Sequence, residues 1–201
     1  MRALAIASAL VLALQGARAS DADAPGDAHA RHHVKEAQVA RTIATVAVPA
    51  VTLVRADGAR VQLARELDDG RPVFLDFVYT TCSAICPVLS QAFAELQSRL
   101  GADAARVRLV SVSIDPEEDT PARLADYARR FSAGPQWEFF TGSVEASIAV
   151  QRAFGTYRGD KMSHAPVTFF RAAPGDPWVR LDGFASPDVL LSELHPQLVH
   201  K

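Results

Sequence analysis

The residues best suited to chemistry are Cys82 and Cys86, the only two cysteines in a chain of 201 residues. They follow an apolar run at residues 73–79, which predicts a buried strand, and they lead into a helical pattern over residues 83–100. At a strand-to-helix junction, free backbone N–H groups and the positive end of the helix dipole favour thiolates. This placement indicates sulfur chemistry.

Two cysteines at this spacing allow three interpretations. A structural disulfide is one. Closing a loop this short would stabilise the fold by only about 2 kcal/mol, and a disulfide between distant elements would stabilise it more. Reversible thiol–disulfide exchange is the second, with an exposed Cys82 attacking and Cys86 resolving. Metal binding is the third, because two thiolates and an imidazole suit Cu(I), and also Zn(II) if a fourth ligand exists. A zinc site with four cysteine ligands is excluded.

An imidazole for such a site must come from one of six histidines. Five of them have simpler explanations. His29, His32 and His33 are polar residues of the leader, His195 lies at the end of the last helix, and His200 lies at the end of the chain. His164 differs because it stands just before the apolar strand at residues 167–170, where a loop can bring it to the sheet edge that carries Cys82. Met162 could add a thioether there, although packing is its simpler explanation.

A polar segment is predicted at the same edge. The strand at residues 106–114 leads into Asp115-Pro116-Glu117-Glu118-Asp119-Thr120-Pro121, in which Thr120 and Pro121 begin a helix. Asp115 and Asp119 are candidates to hydrogen-bond the groups that bind a metal. For Asp119, helix capping is the simpler explanation.

The remaining patterns predict strands that alternate with helices, hence an α/β fold around a central mixed sheet. Asp57-Gly58 lies between two apolar stretches and predicts a β-hairpin over residues 45–64. The other predicted elements are strands at 137–140, 167–171 and 179–181 and helices at 120–132 and 144–154. A last helix begins at Ser186-Pro187 and is expected to end at Pro196.

The first residues are typical of a cleavable secretory signal. Arg2 precedes an apolar core at residues 3–14 that is too short to span a bilayer, and Ala17-Arg18-Ala19 forms the cleavage motif. We expect a signal peptide at residues 1–19, a disordered leader at 20–41 and one folded domain at 42–201. Cleavage would leave no stable membrane span and place the protein in the periplasm, where disulfides persist. An uncleaved anchor is the alternative.

The charge balance excludes some partners. The formal net charge is −2, and removal of residues 1–19 takes away Arg2 and Arg18 and no acid, which leaves −4. A chain of this balance has no basic footprint for nucleic acid or for an anionic membrane surface. Its length is sufficient to bury one hydrophobic core.

Taken together, these segments resemble the Sco/SenC/PrrC family. The pattern is T-x-C-x-x-x-C-P after one strand, D-P-E-x-D-T-P after the next, and a downstream histidine before a third. Members of that family have a thioredoxin fold, bind copper and help assemble the dinuclear copper centre of cytochrome c oxidase. The resemblance runs from about Val48 to Leu194. It implies a thioredoxin-like three-layer sandwich with a central mixed sheet and an N-terminal β-hairpin extension.

The resemblance also implies a site. Cys82, Cys86 and His164 would bind one copper ion, as Cu(I) or Cu(II), with Asp115 nearby. The implied function is that of a periplasmic metallochaperone, not an enzyme in the strict sense. Its partner would be the copper-bearing subunit of cytochrome c oxidase or another periplasmic copper protein.

The alternative function is a thiol–disulfide oxidoreductase, with Cys82 and Cys86 as a redox pair that reduces the cysteines of the oxidase copper site. One feature of the sequence adds weight to it. Ala165-Pro166 occupies the position at which thioredoxins have a cis-proline, and a cis bond there would lie against the two cysteines.

Overall fold

A sheet of eight strands positions the cysteine segment. The computed structural model describes residues 39–199, without the side chains of 197–199. The predicted signal peptide, the leader as far as residue 38, and His200 lie outside the described residues. The strands are β1 (Ala40–Ala44), β2 (Thr52–Arg55), β3 (Arg60–Gln62), β4 (Val73–Val78), β5 (Arg108–Ser113), β6 (Trp137–Thr141), β7 (Val167–Arg171) and β8 (Trp178–Asp182). The helices are α1 (Leu63–Leu67), α2 (Ile85–Leu100), α3 (Pro121–Arg130), α4 (Val144–Ala153) and α5 (Pro187–Val199).

The sheet is mixed, as the sequence predicts. Its strand order is β1-β8-β7-β4-β5-β6-β2-β3. The central strands β4, β5 and β6 run parallel, with Val73 paired to Arg108 and Leu109 to Trp137. The β4–β7, β7–β8, β1–β8, β2–β6 and β2–β3 pairs are antiparallel. The carboxyl ends of β4 and β5 therefore meet at one edge, which is the edge that carries the cysteine segment and Asp115.

Helices cover both faces of the sheet, which makes three layers. Phe74 of β4 packs on one face against Phe93 of α2, in a core that also includes Leu124 of α3. Residues next to Phe74 in β4 point to the other face, because side chains alternate along a strand. There Leu75 packs in the core that includes Val150 of α4. None of the helices within residues 39–199 is both long and apolar enough to cross a membrane.

Three differences from the predicted boundaries have a clear physical cause. The chain is already a strand at Ala40, two residues before the expected start, because β1 pairs with β8 although most of its side chains are exposed. The hairpin is shorter than residues 45–64: only β2 and β3 form it, around Gly58 with φ 90°. Helix α5 continues past Pro196 to Val199, because a proline near a helix end removes only one backbone hydrogen bond.

Asp76 is a buried carboxyl at the centre of the sheet. It lies in β4 with no exposed surface, and its Oδ1 accepts a hydrogen bond of 2.6 Å from the hydroxyl of Ser111 in β5. Its Oδ2 has no hydrogen-bond partner among the described residues. Desolvation disfavours the charged form and raises the pKa of Asp76 from 3.8 to about 7.

This burial predicts a pH dependence of stability. Between about pH 4 and pH 7 the folded state holds a proton on Asp76 that the unfolded chain has lost, so the contribution of Asp76 to the free energy of unfolding falls as the pH rises. Asp76→Asn removes that loss. We expect the unfolding free energy of the variant, relative to wild type, to increase by about 1 kcal/mol or more from pH 4 to pH 8. Urea unfolding of both reduced proteins measures it, and a difference that does not change with pH would contradict the prediction.

Candidate metal centre

The loop between β4 and α2 places both sulfurs at the start of the helix. The carbonyl of Tyr79 accepts a hydrogen bond of 3.0 Å from the Cys82 N–H. The Cys86 N–H in turn donates to the Cys82 sulfur at 3.4 Å. The N-cap residue of α2, Ala84, has no side chain that can cap the helix. The Cys82 sulfur therefore accepts an N–H that would otherwise lack a partner, and the predicted strand-to-helix junction is confirmed.

The two thiols, both free, differ in environment. Cys82 is half-buried; burial opposes its ionisation, but the N–H groups of Cys86 and Ala84 outweigh burial and lower the pKa of Cys82. Cys86 is fully buried, and desolvation raises the pKa of that thiol well above its ordinary value. Cys82 is thus the more accessible of the two thiols, and Cys86 is the protected one.

Asp119 anchors the loop. It is completely buried and accepts hydrogen bonds from the Thr80 N–H at 3.1 Å and the Thr80 hydroxyl at 2.6 Å. The Ser113 hydroxyl at the end of β5 donates to its other oxygen at 2.6 Å. Capping of α3 is instead done by Thr120, whose hydroxyl accepts from the Arg123 N–H. The simpler explanation of Asp119 as a helix cap is therefore wrong, and its carboxylate ties the cysteine loop to the neighbouring strand.

Asp115 lies at the same edge but contacts a different group. Its carboxylate forms an ion pair of 2.5 Å with Lys161, and its N–H donates to the Ser113 hydroxyl at 3.0 Å. Lys161 begins the 3₁₀ turn Lys161–Ser163 that precedes His164. Asp115 therefore fastens the histidine loop to the end of β5.

His164 is buried, and its Nε2 lies 3.2 Å from the carbonyl oxygen of Phe77 in β4. A carbonyl can only accept, so this bond requires the proton on Nε2 and leaves the lone pair on Nδ1. Burial lowers the pKa of His164, which favours the neutral imidazole that binds metals. The Ala165–Pro166 peptide bond that follows is trans.

The structure thus brings the predicted residues to one end of β4 without closing them around an ion. Phe77 holds His164, and the chain reaches Cys82 five residues later. Within residues 39–199, no three His, Cys, Asp or Glu side chains are grouped closely enough to hold a metal. The ligand set Cys82, Cys86 and His164 stays a prediction.

Tyr79 is a site residue that the sequence analysis missed. Its side chain is buried, and its hydroxyl donates to the sulfur of Met162 at 3.8 Å. Burial, followed by its hydrogen bond with Cys82, raises the pKa of Tyr79 to about 12. In the sequence it looks like the last apolar residue of a strand. The one signal in the sequence that could have identified it is the hydroxyl-bearing side chain three residues before Cys82.

Comparison with known proteins identifies the class to which this fold and paired-cysteine loop belong. The structure of Bradyrhizobium japonicum ScoI with copper bound matches with a TM-score of 0.64 and 24% identity, over 75% of this chain and 99% of that one. A structure of BsSco, described as identifying a disulfide switch in a Sco-family cytochrome c oxidase assembly protein, matches with a TM-score of 0.66 and 25% identity, over 80% and 98%. The predicted thioredoxin-like fold is confirmed.

The sequence comparisons give the family. The SCO1/SenC family model matches residues 41–195, and this chain belongs to that family. The Bacillus subtilis SCO1 protein homolog is 35% identical over 98 residues, which are 48% of this chain and 50% of that protein. An Arabidopsis thaliana mitochondrial SCO1 homolog is 33% identical over 110 residues, 53% of this chain and 31% of that protein. The chain therefore spans half or less of the length of these two relatives.

The anchoring role of Asp119 predicts a loss of stability and of loop order on substitution. Asp119→Ala leaves the N–H of Thr80 and two hydroxyls without their acceptor, so the free energy of unfolding should fall by about 1–3 kcal/mol. The released loop should also change the alkylation rate of Cys82. Asp126→Ala is the matched control, because Asp126 is an exposed residue of α3 in a surface ion pair, whose loss should cost less than about 0.5 kcal/mol. Equal effects of the two substitutions would contradict the anchoring role.

Proposed function

We propose that this protein is a copper-binding assembly factor of the periplasm. It holds one copper ion as cargo through Cys82, Cys86 and His164 and passes it to the copper-bearing subunit of cytochrome c oxidase or to another periplasmic copper protein. The secretory pattern of residues 1–19 supports the location. Membership of the SCO1/SenC family supports the copper chemistry, because copper is bound in the Bradyrhizobium japonicum relative.

The observation that carries this proposal is the hydrogen bond between His164 and Phe77. Histidines that bind metals usually donate their second ring N–H to a carbonyl or carboxylate, which fixes the tautomer and the ring. Here the Phe77 carbonyl accepts that proton from Nε2 at 3.2 Å, so Nδ1 is the nitrogen left to bind copper. A buried histidine with a purely structural role would have no need to lie at the strand end that leads to two free thiols.

The donor set fits copper in its reduced state. Two thiolates and one neutral imidazole are soft or borderline ligands, and Cu(I) accepts low coordination numbers. The three ligands are not grouped closely enough to hold an ion in this structure, so copper binding must draw the Cys82 segment and His164 together. A cleft of about 370 Å³ adjoins His164, lined in part by Asp115, Gln151 and Lys161.

Transfer follows from the exposure of the site. Cys82 is the half-buried ligand at the surface, so the thiolate or imidazole of a partner can reach copper from that side. Copper then moves from this protein to its partner by exchange of one ligand at a time. No covalent bond forms between the two proteins. Oxidation of Cys82 and Cys86 to a disulfide would remove both sulfur ligands. The disulfide form therefore cannot hold copper at this site, and only the reduced form carries it.

The second candidate function is thiol–disulfide exchange, in which this protein reduces the cysteines of the oxidase copper site. The contrast between the thiols favours it. Hydrogen bonds lower the pKa of accessible Cys82, whereas burial raises the pKa of Cys86, an asymmetry suited to an attacking and a resolving thiol. The disulfide switch described for BsSco is a parallel in a relative. Fast metal-free exchange with a small disulfide, with weak copper binding, would favour this function over copper delivery.

The copper proposal predicts a defined stoichiometry and a histidine-dependent affinity. The reduced protein should bind about one equivalent of Cu(I) in competition with a Cu(I) chelator. His164→Ala should weaken binding by about tenfold or more, and Cys82→Ser by a larger factor. His195→Ala is the control, since His195 is exposed near the end of α5 and should leave the affinity unchanged. Wild-type affinity in both the His164 and Cys82 variants would overturn the proposal.

A further inference from the structure

Met162 is an exposed apolar side chain held in a fixed place. It is 74% exposed, in the middle of the 3₁₀ turn Lys161–Ser163. The carboxylate of Asp160 caps this turn and accepts the Met162 N–H at 2.9 Å. Neighbouring Lys161 is tied to Asp115 at the end of β5. The turn is thus fastened at both sides, and the side chain of Met162 is largely exposed at the edge of the proposed copper site.

Tyr79 connects this thioether with the accessible thiol. Its hydroxyl donates to the Met162 sulfur at 3.8 Å, and the tyrosine packs in the same small cluster as Cys86 and Cys82. One tyrosine is therefore adjacent to a thioether and a thiol that are 80 positions apart in the chain. The ammonium of Lys161 lies 5.8 Å from the centre of the Tyr79 ring. The position of the tyrosine beside Met162 and Cys82 is therefore set by several contacts.

We propose that Met162 is the loading ligand of this protein: its thioether accepts Cu(I) from a donor and passes it to Cys82. The proposal rests on the copper-binding function proposed above. It concerns a residue outside the predicted ligand set of Cys82, Cys86 and His164. Copper remains Cu(I) throughout, and one bond to the donor ligand breaks as the bond to Met162 forms. The bond to Met162 then breaks as Cys82 binds as a thiolate, and the proton of that half-buried thiol leaves to solvent.

The chemistry of the thioether suits a first contact. It is a soft ligand for Cu(I) and carries no proton, so it can bind without first ionising, whereas a thiol must lose its proton. It is also a weaker ligand than a thiolate, because it is neutral. An ion captured at the exposed Met162 therefore has a favourable path inward, first to half-buried Cys82 and then to buried Cys86.

The test separates loading from holding. Stopped-flow mixing of the reduced full chain with a small-molecule Cu(I) chelate measures the loading rate, and competition at equilibrium measures the affinity. Met162→Leu keeps a side chain of similar size and apolar character but removes the sulfur. We expect it to slow loading by about tenfold while it changes the affinity less than about threefold. Val88→Ala, which trims another exposed apolar residue near the cysteines, should leave both unchanged.

Each other outcome overturns the proposal. An unchanged loading rate in Met162→Leu would show that the residue is only an exposed apolar contact. A loss of affinity as large as the loss of rate would make Met162 a permanent ligand. If the wild-type protein bound no copper, the proposed function itself would fail. If the wild type bound copper and Met162→Leu loaded at the same rate, only the role of Met162 would fail.

Selenium gives a direct view of the contact. The chain has two methionines, Met1 and Met162, so selenomethionine in the Met162→Leu variant reports only residue 1. In Cys82→Ser, where the next ligand on the proposed path is missing, copper should be retained near its point of loading. X-ray absorption at the selenium edge should then show a copper neighbour that is absent when Met162→Leu is added. No copper neighbour in either protein would contradict direct binding to Met162.

Discussion

The site depends on the buried carboxylate of Asp119, which joins the ends of two parallel strands. It accepts both the N–H and the hydroxyl of Thr80, after β4, and the hydroxyl of Ser113, the last residue of β5. A buried carboxylate is costly unless its oxygens are hydrogen-bonded, so these donors have little freedom to leave. The loop is thereby held so that the Cys82 sulfur accepts the N–H of Cys86 in the first turn of α2. That contact lowers the pKa of half-buried Cys82, whereas Cys86, one helical turn further, is buried.

The histidine side of the site is built separately and is less complete. The turn before His164 is fixed to β5 through the ion pair of Lys161 with Asp115, and the imidazole is fixed to β4 through Phe77. The Phe77 contact sets the tautomer and burial favours the neutral ring. Among the described residues, however, no three His, Cys, Asp or Glu side chains are grouped closely enough to hold a metal. A carrier gains from such an arrangement, because a site that closes on its cargo can also open to release it. The role proposed for Met162 adds an exposed thioether, a weaker ligand, to the more buried sulfur ligands of the proposed site.

Many elements of this architecture could be predicted from the sequence. Those that could not be predicted share one cause, which is their dependence on contacts with distant residues. The strand β4, the helix α2 and the junction between them follow from hydrophobic periodicity and the two cysteines, because those patterns are local. The functions of Asp119 and Tyr79 depend on partners 39 and 83 residues away, so a local pattern reports only a helix start and an apolar strand end. Strand β1 was missed for a related reason, since its exposed residues show no alternation and its pairing with β8 decides its structure. The family resemblance supplied the ligand set, and spacing alone would have left several metals and functions open.

The central claim is that His164 binds copper through Nδ1 while Nε2–H remains on the Phe77 carbonyl. Long-range ¹H–¹⁵N correlation spectra of the imidazoles, recorded on the reduced protein before and after one equivalent of Cu(I), test it most directly. The account predicts that His164 is protonated at Nε2 in both states, that its Nδ1 resonance shifts on addition of copper, and that exposed His195 is unaffected. A His164 spectrum unchanged by a stoichiometric equivalent of bound copper, or one that shows Nε2 losing its proton to the metal, would contradict it.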